Sequence, residues 1–307
     1  MKKLLLFTAV LLLAEISTFG QEKKKYYVPK AGDWGVGITF NAVSFGHKLK
    51  MQPKPGEYLG DWVKEFATSP KQMFMLSQDP LAALKVRYHL SNKMALRAGL
   101  GFNGSLINYK EYVKDDYAAI FNPETENKVI DNARSNLNSV SLLLGLEWKK
   151  GIECVRFTYG IDLMYTIAGG RLNFEYGNKL TETNRIPTSM PMTAAMKDGA
   201  VNDFVSNQGI VYGRPLEKYN SGYIHGIGIS FDMGLEIFLA ERTSVAAAMN
   251  FTPVMFCIQP QTYTTYEGFS SNTGKVEKYN GLVSPGSNVL LYGTENLGFR
   301  ISINYYF

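Results

Sequence analysis

Long segments in which apolar and polar residues strictly alternate constrain this 307-residue chain more than any other feature. One face of the last such segment carries Leu297, Phe299, Ile301, Ile303, Tyr305 and Phe307. The other face carries Gly298, Arg300, Ser302, Asn304 and Tyr306. Successive side chains of a β-strand point to opposite faces, and an ordinary strand has about 5–6 residues. The alternation therefore predicts unusually long strands with one apolar face.

The same alternation recurs along the chain and predicts eight strands. They lie near residues 33–45, 80–90, 94–109, 136–148, 154–170, 219–239, 243–257 and 289–307. Long connections at 46–79, 110–135, 171–218 and 258–288 alternate with short ones at 91–93, 149–153 and 240–242. Outer membrane barrels have short periplasmic turns and longer extracellular loops. We therefore expect an all-β fold, an eight-stranded antiparallel up-and-down transmembrane β-barrel with short periplasmic turns and long extracellular loops.

Two barrel types share this topology and differ in which face points inward. A membrane sheet must close on itself because hydrocarbon offers no hydrogen-bond partners, and its outer face must be apolar. A soluble lipocalin-like barrel would instead turn the apolar face inward. Strand length favours the membrane form, and so do aromatic residues near the predicted periplasmic ends, where a girdle is expected. These residues are Trp34, Tyr88, Trp148, Tyr305 and Phe307.

The N-terminus has the features of a secretory signal. Lys2 and Lys3 precede an apolar run over 4–14, and small residues precede Gln21. We expect a signal peptide at 1–20, a short periplasmic N-terminal segment at 21–32 and the barrel at 33–307. The formal net charge of +5 is mild and no basic stripe appears, which argues against nucleic acid as a partner.

The two cysteines, Cys154 and Cys257, fall near opposite ends of the predicted barrel. We therefore expect two free thiols. No Cys/His spacing typical of zinc occurs, so no metal site and no cofactor are predicted.

Charged residues fall on the predicted inward faces in nearly balanced numbers. The cations are Lys85, Arg87, Arg97, Arg156 and Arg300. The anions are Glu147, Asp162, Asp232 and Glu236. The interior of an eight-stranded barrel is just wide enough for side chains, and buried charges need partners. We predict a lumen plugged by an ion-pair network, and a narrow pore or transporter for small solutes is the alternative.

The C-terminal segment 299–307 resembles the terminal signature of outer membrane β-barrels, with Phe307 in the place of the final aromatic. Segments 32–37, 85–99 and 145–151 are similar to strand-turn-strand segments of small OmpA-like barrels from Bacteroidota. The resemblance implies a place in the cell outer membrane and contact with outer membrane lipid. It also implies recognition of Phe307 by the barrel-assembly machinery, but it implies no reaction.

A short motif, His89-Leu90-Ser91-Asn92, resembles the His-x-Ser-Asn signature of outer membrane lipid A deacylases. In those enzymes the histidine is the general base and the serine the nucleophile. Here the motif falls at a predicted periplasmic turn, and no acidic residue follows in 93–110 to orient the histidine. A lipid-modifying enzyme is therefore the weakest alternative, and we predict no enzymatic activity and no catalytic residues.

The first long connection contains a helical pattern. Leu59, Trp62, Val63 and Phe66 recur at the spacing of one helix face. This pattern predicts a helix that caps the barrel mouth, or a docking surface for another outer membrane protein, a larger outer membrane complex or the outer leaflet. We therefore expect a structural or interaction module that acts through its extracellular loops. Pro253 is expected to loosen pairing toward the outer end of its strand.

Overall fold

The computed structural model describes residues 29–41, 82–152, 154–189, 210–293 and 297–307. These residues form twelve strands and one short helix. The first six strands are β1 (Trp34–Asn41), β2 (Ala82–His89), β3 (Met94–Lys114), β4 (Lys128–Gly151), β5 (Val155–Glu175) and β6 (Ile210–Asn220). The others are β7 (Ile224–Phe238), β8 (Thr243–Gln259), β9 (Thr262–Ser270), β10 (Val276–Ser284), β11 (Ser287–Tyr292) and β12 (Leu297–Tyr306). Helix α1 (Asp116–Phe121) lies between β3 and β4. The predicted signal peptide and the predicted helix with Leu59, Trp62, Val63 and Phe66 lie outside the described residues.

Eight of the described strands pair in a closed antiparallel ring. The order is β1-β2-β3-β4-β5-β7-β8-β12, and β12 returns to β1. Val36 in β1, for example, faces Tyr305 of β12 on one side and Val86 of β2 on the other. Each strand of the ring therefore has two neighbours. The predicted all-β antiparallel fold is confirmed, and these eight strands correspond to the eight predicted segments.

One end of the ring carries short turns and both ends of the barrel sequence. The turn after β2 is closed by hydrogen bonds from the amides of Leu90 and Ser91 to the carbonyl of Met94. The turn after β7 uses the Leu239 amide and the Thr243 carbonyl in the same way. At this end the Trp34 amide also donates to the carbonyl of Phe307. Short turns are a feature of the periplasmic side of outer membrane barrels.

The opposite end is more structured than expected. Strands β3 and β4 pair as far as Lys114 and Lys128, so the predicted ends at 109 and 136 were wrong. Strands β6, β9 and β10 build an additional sheet within connections that were predicted to be loops. This sheet joins the barrel where β6 pairs with β5 at Arg171–Asn173.

Three smaller expectations also need correction. The predicted strand 289–307 is two strands, since β11 and β12 pair with different parts of β8. The predicted strand 219–239 begins too early, because its first two residues belong to β6. Pro253 lies at an irregularity of the β7–β8 ladder, where the register shifts between Ile229 and Phe231, but pairing resumes at Val254 and continues to Ile258, so the predicted loosening is local and does not extend to the outer end. Among the described residues no helix is long and apolar enough to cross a membrane.

Side chains within the ring have the sidedness of a membrane barrel. Outward positions carry exposed apolar residues: Ile301 and Ile303 in β12 are 44% and 53% exposed. Their neighbours Ser302 and Asn304 are buried in the interior. The same division occurs in β4, where Leu142 and Leu144 are exposed. A lipocalin-like barrel would show the reverse, so the soluble alternative does not describe this ring.

Candidate functional site

The barrel interior is organised around Arg97 of β3. Its Nε donates to Asp162 of β5 at 2.6 Å, and its Nη1 donates to Asp232 of β7 at 2.9 Å. Nη1 also donates to Glu147 of β4 at 3.1 Å. Strands β3 and β7 are separated by β4 and β5, so these contacts cross the lumen. All four side chains are almost completely buried, and each charge is therefore compensated only by its neighbours.

Gly160 makes room for this guanidinium. A Cβ at Gly160 would lie 2.5 Å from Nη2 of Arg97, closer than real contacts allow. The residue pairs with Glu147 and with Asp232 across its two neighbouring strands, so it lies at the centre of the carboxylates that hold Arg97. Because Gly160 has no side chain, the long side chain of Arg97 can reach across the lumen.

A second group of ion pairs is formed around Glu147 and Glu236. Arg87 Nε is 2.9 Å from Glu147, and Lys85 Nζ is 3.3 Å from the same carboxylate. Lys149 Nζ donates to Glu236 at 3.0 Å and to the hydroxyl of Tyr306 at 2.8 Å. The Tyr306 hydroxyl in turn donates to Glu236. The carboxylates of Glu147 and Glu236 therefore hold cations from several strands.

Lys149 and Tyr306 were not among the predicted site residues. Lys149 was assigned to a turn, but β4 extends to Gly151 and its odd-numbered residues face inward. Tyr306 was placed on the inward face without a role. The alternation already carried the signal for Lys149, because it continues the series of Gly145 and Glu147.

The remaining predicted cations lie at the edges of this network. Arg156 stacks its guanidinium over Phe238, 4.6 Å from the ring centroid. Arg300 lines a cavity of about 20 Å³ together with Lys85, Arg97 and Asp162. The structure thus brings Lys85, Arg87, Arg97, Glu147, Asp162, Asp232 and Glu236 into one ion-paired network, and Lys149 joins it.

An apolar layer fills the lumen beyond the ion pairs. It is formed by Leu143, Met164, Met255 and Cys257, all buried. Cys154 and Cys257 are free thiols, as predicted.

The His89-Ser91 motif lies at the floor of the barrel. The His89 ring is buried, with its centroid 5.7 Å from that of Tyr306. The Ser91 hydroxyl accepts hydrogen bonds from the amides of Lys93 and Met94 at 3.2 and 3.1 Å. These bonds shape the turn, so Ser91 has a local structural role. No cluster of metal-binding side chains occurs among the described residues.

A second organised region lies above the barrel and joins segment 176–189 to strands β4, β6 and β9. Asp131 accepts hydrogen bonds from the Gly177 amide at 2.8 Å and the Ser189 hydroxyl at 2.7 Å. Arg214 is buried and donates to the carbonyls of Asn178 and Ser189 at 2.8 and 2.9 Å. Its Nε lies 2.7 Å from Glu267. These bonds fix a segment that was predicted to be a loop, and we call this region the extracellular extension.

Strands β9 and β10 of the extension are held by stacked aromatic rings. The ring centroids of Tyr266 and Tyr279 are 5.3 Å apart. Burial raises the pKa of Tyr279 to about 12, and the neighbouring Tyr266 adds to the effect. The phenol of Tyr279 is therefore neutral across the physiological range.

Helix α1 presents exposed apolar side chains at the top of the β3–β4 hairpin. Asp115 caps the helix by accepting from the amides of Tyr117 and Ala118. Tyr117, Ile120 and Phe121 are each more than 70% exposed, and Tyr117 and Phe121 stack edge to face at 5.4 Å. We call these three residues the apolar tip.

The apolar tip is firmly attached to the extension through one carboxylate. Asp116 accepts from Asn184 Nδ2 at 2.8 Å and from the Thr188 hydroxyl and amide at 2.5 and 3.0 Å. The exposed rings are therefore held in place from below and do not sit on a free loop.

Comparisons with known proteins return no match to a family model and no match to a curated protein sequence. Among solved structures, OprG from Pseudomonas aeruginosa is similar over 93% of this chain and 99% of its own, with 12% identity and a TM-score of 0.32. A major outer membrane protein from Thermus thermophilus covers 90% of this chain and 100% of its own, with 11% identity and a TM-score of 0.37. Ail, the attachment invasion locus protein of Yersinia pestis, covers 90% of this chain and 99% of its own, at 7% identity and a TM-score of 0.28. TM-scores this low carry no argument about this chain.

Location follows from the surface chemistry of the barrel itself. A closed ring of strands that is apolar outside and charged inside satisfies every backbone group and presents an apolar surface to lipid. Outer membrane barrels have this construction, with an apolar band and a polar interior. The protein is therefore an outer membrane β-barrel.

Proposed function

We propose that this protein is a non-enzymatic outer membrane module that presents its extracellular extension to a partner protein. The apolar tip carries this proposal. Exposed aromatic residues are enriched at protein interfaces, whereas scattered exposed apolar residues need no explanation. Tyr117, Ile120 and Phe121 lie together on one helical turn that Asp116 fixes to the extension. Such preorganisation lowers the entropic cost of binding.

Site-specific photo-crosslinking in cells tests this proposal. A photoreactive residue at Tyr117 or Phe121 is expected to give one discrete protein adduct, whereas the same residue at exposed Lys278 in β10 gives none. The double variant Ile120→Ser/Phe121→Ser should fold and should abolish the adduct formed from Tyr117. If Tyr117 gives no discrete adduct, or if the double variant leaves the adduct unchanged, the apolar tip is not a docking surface.

The packing of the described interior supports a non-conducting barrel. The ion pairs of Arg97 span the lumen, and Leu143, Met164 and Met255 form an apolar layer beyond them. The alternative is a narrow pore for small solutes, and the cavity of about 20 Å³ beside Arg300 is large enough only for about one water molecule. Planar bilayer recording separates the two functions, because steady single-channel conductance of the unmodified protein would establish the pore.

A lipid-modifying activity has the least support. Ser91 holds its turn through two amide hydrogen bonds, and the motif lies at the short-turn end of the barrel. A comparison of lipid A by mass spectrometry with and without the protein tests this point, and loss of one acyl chain would revive the enzyme hypothesis.

The proposal of an outer membrane interaction module also includes a relationship to OmpA-like barrels of Bacteroidota, a secretory signal at 1–20 and assembly through Phe307. A larger outer membrane complex is the partner class that fits it.

A further inference from the structure

The outward face of strands β3, β4 and β5 changes from apolar to polar part-way along their length. Within the barrel, this face carries exposed apolar residues such as Leu106, Val140 and Tyr165. Above it, the same face carries polar residues such as Asn136 and Arg171, which are exposed. An outer membrane barrel presents an apolar band to lipid and polar residues to the water beyond it. The change therefore marks the height at which hydrocarbon gives way to the aqueous side.

Three cations occupy the outward face just beyond this boundary. The unbroken run of exposed apolar residues ends at Leu106 on β3, Val140 on β4 and Tyr165 on β5. Lys110, Arg134 and Arg171 follow four to six residues later on the same faces, and all three are exposed. Tilted barrel strands rise about 2.5 Å per residue along the membrane normal, so these cations lie roughly 10–15 Å above the apolar band. Long basic side chains can extend back toward the interface.

These cations are neighbours across the sheet. Arg134 is paired with Asn108 and Lys110 with Asn132, which makes Lys110 and Arg134 diagonal neighbours. Arg171 is paired with Asn136, which makes it a diagonal neighbour of Arg134. Diagonal neighbours of this kind are about 7–8 Å apart. One doubly phosphorylated group is large enough to contact all three cations.

The rest of this surface is rich in amides. Asn108, Asn136 and Asn138 are exposed on the same outward face, directly between the apolar band and the cations. Asparagine offers both donors and acceptors, which suits sugar hydroxyls and phosphate oxygens. We call these three residues with Lys110, Arg134 and Arg171 the headgroup patch.

The acidic residues of this region compensate only part of the charge of the headgroup patch. Glu217 lies 2.9 Å from Arg171, but that arginine side chain remains 62% exposed. Glu175 is paired with Asn132 at the upper edge. Lys114 and Lys128, which are paired at the top of the hairpin, add two further positive charges.

Within the described residues, the headgroup patch is one continuous surface on β3, β4 and β5. Each of its cations is a diagonal neighbour of another, and the asparagines lie on the same faces directly below them. The patch therefore has the form of a site for one ligand beside these three strands.

We propose that the headgroup patch binds the phosphorylated sugar headgroup of a glycolipid in the outer leaflet. The patch combines positive charge and amides immediately above an apolar wall. That combination matches a molecule with phosphates and sugar hydroxyls at one end and acyl chains at the other. The acyl chains would lie against Leu106 and Val140, whose side chains face lipid. A glycolipid headgroup is taller than that of a phospholipid, which fits the height of the cations.

Lipid binding by the folded barrel in uncharged detergent tests this proposal, with native mass spectrometry as the readout. The variant Lys110→Gln/Arg134→Gln removes two charges from the patch. The control variant Lys93→Gln/Lys150→Gln removes two exposed lysines at the short-turn end. Heat-dependent migration on gels establishes that each variant is folded. Surface cations each contribute about five-fold to binding of anionic lipid, so the patch variant should bind bisphosphorylated lipid A roughly 30-fold more weakly.

Three comparisons decide the outcome. The control variant should bind within two-fold of the unmodified protein, and dephosphorylated lipid A should bind at least ten-fold more weakly than the bisphosphorylated form. Inorganic phosphate should not compete at millimolar concentration, because it has no acyl chains to rest on the apolar wall. Equal loss in the patch and control variants, equal binding of the dephosphorylated lipid, or displacement by inorganic phosphate would each overturn the proposal.

Discussion

The ion pairs of Arg97 allow one prediction of stability to be worked through quantitatively. The variant Arg97→Met keeps most of the side-chain volume but removes the cation that bonds Asp162 and Asp232. Glu147 keeps three cations as partners, namely Lys85, Arg87 and Lys149. Only the carboxylates of Asp162 and Asp232 therefore lose their positive partner. Breaking a buried pair by removing one partner costs about 3–5 kcal/mol. We expect the free energy of unfolding to fall by at least that amount.

A compensated variant distinguishes the loss of charge balance from the loss of packing. In Arg97→Met/Asp162→Asn/Asp232→Asn, the two abandoned carboxylates become neutral amides of nearly the same shape. Replacing a whole buried ion-pair group by neutral residues is often close to neutral in stability. We therefore expect the triple variant to recover most of the loss. Lys150→Met, which removes an exposed cation from the same barrel, should change stability by less than about 0.5 kcal/mol.

Equilibrium urea unfolding in lipid vesicles measures these differences through tryptophan fluorescence, since Trp34 and Trp148 lie at the lipid-facing short-turn end. Unchanged m-values would show that the same transition is being compared. A loss of less than about 1 kcal/mol in Arg97→Met would contradict the expected cost of a buried carboxylate without its counter-charge. A triple variant that is less stable than the single variant would contradict it as well.

Further predictions concern packing, depth and pH. Gly160→Val should cost about 1–3 kcal/mol in the same unfolding assay, because its Cβ would lie 2.5 Å from Arg97 Nη2 and 2.6 Å from the carbonyl oxygen of Leu146. Gly104→Val, where an added Cβ meets only ordinary contacts, should be nearly neutral. Leu144→Arg should lower the free energy of unfolding by about 2–4 kcal/mol, because Leu144 faces the middle of the apolar band. Asn136→Arg should lower it by only about 0–1 kcal/mol, because Asn136 lies above that band. Equal losses would contradict the position assigned to the upper edge of the band. The extension should loosen between pH 10 and 12: the unfolded phenol ionises near its usual pKa of 10, whereas folded Tyr279 resists until about pH 12. Hydrogen exchange of β9 and β10 should therefore rise in this window, and Tyr279→Phe should reduce the rise.

The eight ring strands were predictable from sequence because each of them crosses the membrane with lipid on one face and the barrel interior on the other. Strict alternation is then the only pattern that satisfies lipid outside and charge inside. Inward residues such as Arg97 and Asp162 could be assigned from their position in that alternation alone. Their partners could not, since a contact from β3 to β7 depends on lumen width and on the space left by Gly160. Strands β6, β9 and β10 were missed because their segments contain no comparable apolar face.

The predicted strand ends near 109, 136 and 170 failed for a single physical reason. At these positions β3, β4 and β5 leave the hydrocarbon, and their outward faces no longer consist of apolar residues although the strands continue. An apolar residue such as Phe174 now faces inward, and a cation such as Arg134 faces outward. A search for one continuous apolar face ends at this point, although the backbone ladder does not. The position at which the apolar alternation ends on β3, β4 and β5 therefore marks the outer surface of the membrane. The cations proposed to bind lipid lie just beyond that position.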